Sequence, residues 1–438
     1  MPLIIIALGV LFLLILMSVF KLNAFFSLLI TAFVVGLLNH MGANEIIASI
    51  SFGIGETMGS LILILTFGAM LGKLIEESGA ALAITYRLNR IFGEKYIQVA
   101  IMITGFLVGL PMIYNASFLV LIPLIYTFAS TSKKSLLFLG IPLSASLSVA
   151  HAYLPPHPAP TAVSIIYGAD VNLSLLYGLI PCIPAIILAG PVLSFFFRKT
   201  YIVPPANLYT PREYKIEELP SLGISLFTTL IPVILMLIGA VFSLSVGENG
   251  NKTILSVAQF ISNPNFALFV AVIIGIYTLG IRRGKQMKDI MKSLEKSAGS
   301  IAMVILIIAG GGALKQVLLD SGIADYIKEM VMGFDFNPII MVIAALLRLA
   351  VGSATVATIT AAGIMLPVVA ATHVSPELMV LATGSGSLMF SHFNDIGFWM
   401  FKEYYNVSIK QTFQIWTVME SIVAIVGLIT VLILHGLL

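Results

Sequence analysis

The stretch YIQVAIMITGFLVGLPMIYNASFLVLIPLIYTFASTS, from Tyr96 to Ser132, contains no Asp, Glu, Lys or Arg. Residues 219–247 and 253–281 are equally free of these charges. The hydrocarbon core of a bilayer is ~30 Å thick, and about 20 apolar residues cross it as a helix. In lipid, every backbone polar group must be satisfied within a helix or a closed barrel. Barrel strands would alternate apolar and polar residues; these stretches do not, so they predict transmembrane helices.

The composition excludes a water-soluble protein. Of the 438 residues, 59% are hydrophobic and 10% are charged, whereas a soluble domain has about 25% charged residues. The net charge of +3 indicates no nucleic-acid-binding surface. Cys182 is the single cysteine, which excludes an internal disulfide and a multi-cysteine metal site. The sequence has no HExxH, GxSxG or P-loop motif, so it indicates neither an enzyme nor a bound cofactor.

We expect an all-α polytopic membrane protein with about 12 to 14 membrane segments, some of them half-membrane hairpins. The first apolar run, from Leu3 to Phe20, lacks the basic region and cleavage site of a signal peptide and is predicted to be a retained span. Lys and Arg mark cytoplasmic loops and concentrate in residues 198–215 and 282–296, which places both termini outside the cytoplasm. The predicted division is an N-terminal transmembrane half 1–197, a cytoplasmic linker 198–221 and a C-terminal half 222–438.

Three sequence blocks of the first half recur in the second half, in the same order and at nearly constant spacing. They are Glu77-Ser-Gly79 with Asp320-Ser-Gly322, the polar segments that end at Pro123 and Pro367, and Ser146-Leu147 before His151 with Ser387-Leu388 before His392. The loop after Gly79 is net positive, and the loop after Gly322 is net negative. Opposite loop charges are expected of inverted-topology repeats, a common architecture of secondary transporters. An ordinary duplication with drifting loop charge is the alternative.

Two Gly-rich segments interrupt the apolar pattern at matching places in the halves: GLPMIYNAS from Gly109 to Ser117, and GSATVATITAAG from Gly352 to Gly363. Irregular backbone at membrane depth is tolerated where it is buried or lines a cavity. Interrupted helices also expose N-termini whose partial positive charge favours an anion. The predicted substrate-binding residues of these segments are Gly109, Asn115, Ser117, Gly352, Ser353, Thr355 and Thr358. The alternative is close helix packing through small residues.

Arg348 lies in an apolar run just before Gly352. An Arg at the centre of the bilayer costs at least ~2.5 kcal/mol, so such residues usually face a cavity and have a partner. We expect Arg348 to bind the carboxylate of a substrate or to pair with Asp395. The alternative is an Arg near a helix end whose side chain extends to the membrane surface.

The segment SGSLMFSHFND, from Ser385 to Asp395, is the densest polar cluster of the chain. Imidazole titrates near neutral pH, and His392 and Asp395, three apart, would share a face if the backbone is helical. His392 and Asp395 are therefore predicted to carry a coupling proton, and Ser387 and Asn394 are predicted to bind substrate. The alternative is a structural cluster at the membrane surface.

The string HAYLPPHPAPT, from His151 to Thr161, has four prolines in six residues and cannot form one regular helix. We predict a rigid turn, with His151 in ion coupling and with His157 and Thr161 in substrate binding. Two His without a neighbouring acidic residue or Cys give little support for a metal site.

Four acidic residues in or beside membrane segments are interpreted as structural. Glu56, Glu76 and Glu77 lie at segment ends, and Glu420 falls inside the last span. Trp416, close to Glu420, is typical of the membrane interface, so Glu420 is expected at that interface.

Three strings are long enough to be specific: the Pro-rich string that ends at Thr161, LRLAVGSATVA from Leu347 to Ala357, and GSLMFSHFNDIGFW from Gly386 to Trp399, which runs on to Glu403. They resemble the gluconate permease family of ion-coupled transporters, with similarity from about residue 50 to the C-terminus. The resemblance implies uptake of gluconate or a related sugar acid or small hydroxycarboxylate, usually with protons, by alternating access. The expected location is the bacterial cytoplasmic (inner) membrane, and a homodimer is a further expectation.

One position departs from the family pattern. Many members have an acidic residue where this chain has Asn115, so the resemblance leaves the coupling ion open. Protons could use His392 or Asp395, whereas Na⁺ could bind hydroxyls and carbonyls of the interrupted helices. The sequence thus predicts a symporter for a gluconate-like anion. A carrier for a small amino acid such as serine and a channel are the alternatives.

Overall fold

The computed structural model describes residues 2–200, 202, 216–246, 252–322, 339–371, 374–393 and 395–437. Within these residues the chain is almost entirely helical and has no β-strand, which confirms the predicted all-α class. Eight helices in this part of the chain are long and apolar enough to cross a membrane, or nine when the bent pair Ala80–Phe92 and Glu94–Gly109 counts as one span. Three shorter apolar helices accompany them. The number of membrane segments expected from the sequence is larger than the number of full-length spans because it included such shorter helices.

The helices before residue 200 are α1 Pro2–Ser18, α2 Ala24–Leu38, α3 Ala43–Ser78, α4 Ala80–Phe92, α5 Ile97–Gly109, α6 Tyr114–Ser132, α7 Leu136–Tyr153, α8 Pro158–Tyr167, α9 Val171–Ile187 and α10 Leu193–Phe196. Those after residue 216 are α11 Leu222–Val246, α12 Lys252–Ser262, α13 Pro264–Gly275, α14 Met287–Ser300, α15 Ala302–Asp320, α16 Ile339–Val351, α17 Ala354–Ala371, α18 Pro376–Gly386, α19 Ile396–Tyr404, α20 Ile409–Thr412 and α21 Val418–Leu437. Single π-helical segments join α9 to α10 and α20 to α21.

Two segments predicted to be charged loops are largely helical. Arg87 and Arg90 lie in α4, and the basic residues 288–296 lie in α14. Helix α4 buries its first part, residues 80–85, and carries its charges beyond it, whereas α14 buries one side with Ile290 and Leu294. The apolar residues of α14 recur at helical spacing between its charges.

Helix α3 runs antiparallel to α14 and α15. Near one end of this contact, Ser49 Oγ donates a hydrogen bond to Asp320 at 2.6 Å. Near the other end, Ser293 Oγ donates to Glu77, also at 2.6 Å. Each bond thus joins a serine that precedes the matched block in one half to the acidic residue of that block in the other half.

The residues after these two acids are also alike. Gly79 and Gly322 have φ of +75° and +74°, in the left-handed region that favours glycine at a helix end. This reciprocity supports the predicted inverted repeats, although the sense in which each half crosses the membrane stays a prediction. The net-negative loop 323–338 and most of the predicted linker, residues 203–215, lie outside the described residues, so the division at 198–221 also stays a prediction.

Helices α3 and α15 cross at glycines. A Cβ on Gly53 would lie 2.3 Å from the carbonyl oxygen of Gly312, and a Cβ on Gly312 would lie 2.1 Å from Thr57 Oγ1. Because glycine has no side chain at either position, the two backbones approach closely, as in other membrane helix pairs. The crossing therefore depends on glycine at both positions.

Helices α5 and α6 form a hairpin: the chain enters the bundle along α5 and returns along α6 to the same end. Gln98 Nε2, at the start of α5, donates to the carbonyl oxygen of Phe138 at 2.7 Å, near the start of α7. Gly109, at the end of α5, lies beside Leu147 further along α7. Since α5 and α7 run side by side in the same direction, α6 must lead the chain back. The tip of this hairpin is at residues 110–113.

The second half contains the matching arrangement. Met341 in α16 lies beside Gly386 at the end of α18, and Arg348 near the end of α16 reaches Ser391 beyond it. Helix α17 therefore leads the chain back in the same way. The tip of this second hairpin is Gly352 and Ser353, with Gly352 at φ +77°. Both predicted interruptions are confirmed.

Replacing Gly53 with Val is expected to destabilise the fold, because the new side chain would overlap the backbone of α15 and backbone atoms cannot rotate away. We expect a lower yield of monodisperse protein and a lower melting temperature in detergent, measured by size-exclusion chromatography and thermal shift. Gly55→Val is the matched control, since a Cβ on Gly55 meets nothing within 4 Å. Equal stability of the two variants would contradict the close crossing.

Candidate functional site

Two hairpin tips and two interrupted helices surround a cavity of about 390 Å³. The tips contribute residues 113–115 and 352–356, and the interrupted helices contribute Ser148, His151 and residues 395–397. The remaining polar lining is Arg348, Trp416 and Glu420. The volume falls in the range of ~300–1,000 Å³ that is usual for small-molecule sites.

The guanidinium of Arg348 lies at one wall of this cavity and is 2% exposed. Its Nη2 donates to Asp395 and, at 2.7 Å, to Ser391 Oγ, while Nη1 donates to the carbonyl oxygen of Gly352 at 2.6 Å. Asp395 also accepts from Ser391 Oγ at 2.6 Å and from the Gly397 N–H at 2.9 Å, which caps α19. The ion pair considered from the sequence is therefore present, and the alternative of a side chain that extends to the membrane surface is wrong.

Both hairpin tips present a helix N-terminus to the cavity. Helix α6 begins at Tyr114 and α17 begins at Ala354, and residues at both starts line the cavity. Ser353 Oγ accepts from the Val356 N–H at 3.4 Å. The first N–H groups of a helix have no intrahelical acceptor, so the two tips bring unsatisfied donors and partial positive charge to one place. Asn115 and Thr355, predicted from the sequence, also line the cavity.

Three predicted hydroxyl ligands are directed elsewhere. Ser117 donates to the carbonyl oxygen of Ile113 at 3.3 Å, Thr358 to that of Ala354 at 2.6 Å, and Ser387 to that of Gly384 at 2.7 Å. None of the three lines the cavity. The sequence showed that these segments were polar but could not show that hydroxyls inside a helix bond to their own backbone.

The Pro-rich string does interrupt a helix, since α7 ends at Tyr153 and α8 begins at Pro158. His151 lines the cavity, and its Nε2 lies 3.5 Å from Thr355 Oγ1. The His157 ring lies 5.1 Å from that of His151 and lines a smaller pocket behind it. Gly109 and Thr161 are buried outside the cavity. Within the described residues, no group of three or more His, Cys, Asp or Glu side chains could hold a metal ion.

His392 and Asp395 would share a face only if the backbone between them were helical, and this condition is not met. Residues 387–393 form turns and irregular backbone after α18. His392 stacks on Phe393 with ring centres 4.6 Å apart and does not line the cavity. Asn394 lies outside the described residues.

Glu420, interpreted as a structural residue at the membrane interface, lies buried beside the cavity. The residue is 1% exposed and lines the cavity, where its Oε2 accepts from Ser148 Oγ at 2.9 Å. Trp416 is likewise buried, and its Nε1 donates to Ser391 Oγ at 2.8 Å. The rule applied to Arg348, that a charge within an apolar span faces a cavity, would have found Glu420 as well.

A second cavity of about 340 Å³ lies on the other side of the first hairpin tip. Its polar lining is Lys73, Glu76, Glu77, Lys296, Ser297 and Ser300. Ile113 lines both cavities, so this apolar tip residue lies between them.

The profile described as GntP family permease matches residues 1–437 of the chain. The Gnt-II system L-idonate transporter of Escherichia coli K12 is 48% identical over 440 residues, covering 100% of both chains. The high-affinity gluconate transporter of the same organism is 46% identical, covering 99% of both. The gluconate permease of Bacillus subtilis is 43% identical, also covering 99% of both.

Two solved structures share the fold. The YdaH transporter of Alcanivorax borkumensis has a TM-score of 0.63 at 14% identity and covers 90% of both chains. MtrF of Neisseria gonorrhoeae has a TM-score of 0.63 at 13% identity and covers 89% of this chain and 84% of its own. At such low identity the likeness concerns the fold alone.

Replacing Arg348 with Gln is expected to lower the melting temperature in detergent, because Asp395, whose side chain is only 15% exposed, would lose its cation. Breaking one partner of a buried ion pair costs about 3–5 kcal/mol in soluble proteins. The double variant Arg348→Gln/Asp395→Asn should recover part of the loss, which a double-mutant cycle measures by thermal shift. The partly exposed pair Lys402–Glu403 is the control, with an expected coupling of about 0–1 kcal/mol. Additive effects at Arg348 and Asp395 would contradict the ion pair.

Proposed function

Because this chain belongs to the GntP family of permeases, we propose that it transports gluconate or a closely related sugar acid. It is a multi-pass transporter of the bacterial inner membrane and not an enzyme. Full-length relatives at 46% and 48% identity are named for gluconate and L-idonate, and both of these substrates are small hydroxylated carboxylates.

The observation that most supports this proposal is the buried guanidinium of Arg348 beside two helix N-termini in one cavity. A carboxylate can be bound by a guanidinium and by free N–H groups at helix starts. Arg348 Nε has no hydrogen-bond partner within the described residues, so part of the guanidinium is unused in this state. We place the carboxylate of the substrate between Arg348 and the tip at residues 352–356.

The hydroxyls of a sugar acid need donors and acceptors along the rest of the cavity. Asn115, Ser353 and Thr355 line it, together with His151. Apolar Val304 and Ile307 from α15 also contribute to the lining. Polar groups set among apolar side chains suit a chain of hydroxylated carbons.

We further propose that transport proceeds by alternating access. The antiparallel arrangement of α3 with α14 and α15, and the two hairpins, support it, because such folds expose a central site to each side in turn. The cavities on either side of Ile113 mark a path that is interrupted by an apolar tip. A channel would instead need a continuous polar pore.

The proton is the proposed coupling ion, and Na⁺ is the alternative. In proteoliposomes with purified protein, radiolabelled gluconate should accumulate under an inward proton gradient and show saturation. Unlabelled gluconate and L-idonate should compete at lower concentrations than serine. Accumulation driven by a Na⁺ gradient alone would show that Na⁺, and not the proton, is the coupling ion. Stronger competition by serine than by gluconate would contradict the proposed substrate class.

Replacing Thr355 with Val should raise the KM for gluconate by about 2- to 10-fold, the equivalent of one hydrogen bond to a neutral group. Initial rates of uptake over a range of gluconate concentrations measure the effect. Thr358→Val is the matched control on the same helix, since Thr358 bonds to its own backbone and does not line the cavity. An equal rise in KM for both variants would contradict the assignment of this cavity.

A further inference from the structure

Glu420 has an oxygen that nothing in the described residues satisfies. The side chain projects from the first turn of α21, within the continuous apolar span Ile409–Leu437. Oε2 accepts the Ser148 hydroxyl at 2.9 Å, whereas Oε1 is buried without a partner in this part of the chain. The residue lines the cavity in which we place the substrate. A buried carboxylate in such surroundings is costly, and a proton on Oε1 removes the charge.

The groups that face Glu420 do not neutralise it. Arg348 is already paired with Asp395, so these two charges cancel. Tyr114 on α6 and Tyr153 on α7 face it as neutral phenols, and the Tyr153 hydroxyl donates to the carbonyl oxygen of Val423 at 2.8 Å. Other titratable groups near the cavity are His151, which lines it, and His157 beside that ring. Tyr405 lies near Tyr114, and Cys182 on α9 lies behind Tyr153.

The charge balance of the cavity then depends on Glu420. An ionised Glu420 leaves the cavity with one net negative charge, and a sugar acid would add a second, which is less screened at membrane depth than in bulk water. A protonated Glu420 leaves the cavity neutral before the anion enters. Proton and anion should therefore strengthen each other's binding, and this coupling is reciprocal by thermodynamic necessity.

We propose that Glu420 binds the coupling proton and that Ser148 is a positioning residue that orients its carboxyl group. The proton adds to Oε1, and Ser148 continues to donate to Oε2. One proton and one monoanion cross together, so the transported unit is neutral. This proposal rests on the proposed function, and it replaces Asp395, which is engaged with Arg348, and His392, which lies outside the cavity.

The test compares accumulation with exchange in proteoliposomes. Glu420→Gln imitates the protonated side chain, so accumulation of gluconate under a proton gradient should be lost. Exchange of internal for external gluconate needs no net proton movement and should decline much less. The KM of the wild-type protein should rise as pH increases, whereas the KM of Glu420→Gln should not change with pH.

Ser148→Ala tests the positioning role. It should shift the pH profile of KM while proton-driven accumulation persists, which a purely structural role would not produce. Ser146→Ala is the matched control on α7, since Ser146 donates to the carbonyl oxygen of Pro142 at 2.9 Å and does not line the cavity. A profile unchanged by Ser148→Ala would overturn the role of Ser148.

Two results would overturn the role of Glu420. One is proton-driven accumulation by Glu420→Gln at the wild-type level. The other needs no variant: in weakly buffered detergent solution, a pH-sensitive dye should report uptake of protons when gluconate binds to the wild-type protein, and no uptake would contradict the proposal. Failure of the proposed function is distinguishable, because the wild-type protein would then neither bind nor exchange gluconate.

Discussion

Within a bilayer no water is available to satisfy the backbone groups that an interrupted helix leaves free, so each interruption at membrane depth must be enclosed by protein. In this chain the breaks after α5, α7, α16 and α18 all lie around one cavity or directly behind it. Helix α15, whose Val304 and Ile307 line this cavity, is held against α3 by the close crossing at Gly53 and Gly312. Because broken helices must be enclosed by protein in the bilayer, their free N–H groups come together at one site.

Most of the fold was predictable from the sequence, because hydropathy and glycine act locally. Gly109 and Gly352 marked the two hairpin tips, and Arg348 marked the cavity through the cost of its charge. The helices α4 and α14 were not predicted, since their charges are typical of loops although α4 buries residues 80–85 and α14 buries an apolar side. The single long helix α3 was also not apparent, because its first half contains polar residues that pack against α15.

The site was less predictable, because it depends on which way each side chain points. Ser117 and Thr358 occur in the predicted segments, yet both bond to their own helices. Glu420 reaches the cavity from a distant span, and only the packing of α21 against α7 brings it to Ser148. Reciprocal bonds such as Ser49–Asp320 and Ser293–Glu77 connect the two halves in a way that no single segment of sequence reveals.

The central claim is that the cavity between the hairpin tips binds a sugar acid by its carboxylate. Determination of the structure with bound gluconate, by single-particle electron cryomicroscopy in nanodiscs, tests it most directly. The account predicts ligand density between residues 113–115 and 352–356, with one end against Arg348. Density in the second cavity beside Lys73 and Lys296, with the first cavity empty, would contradict it.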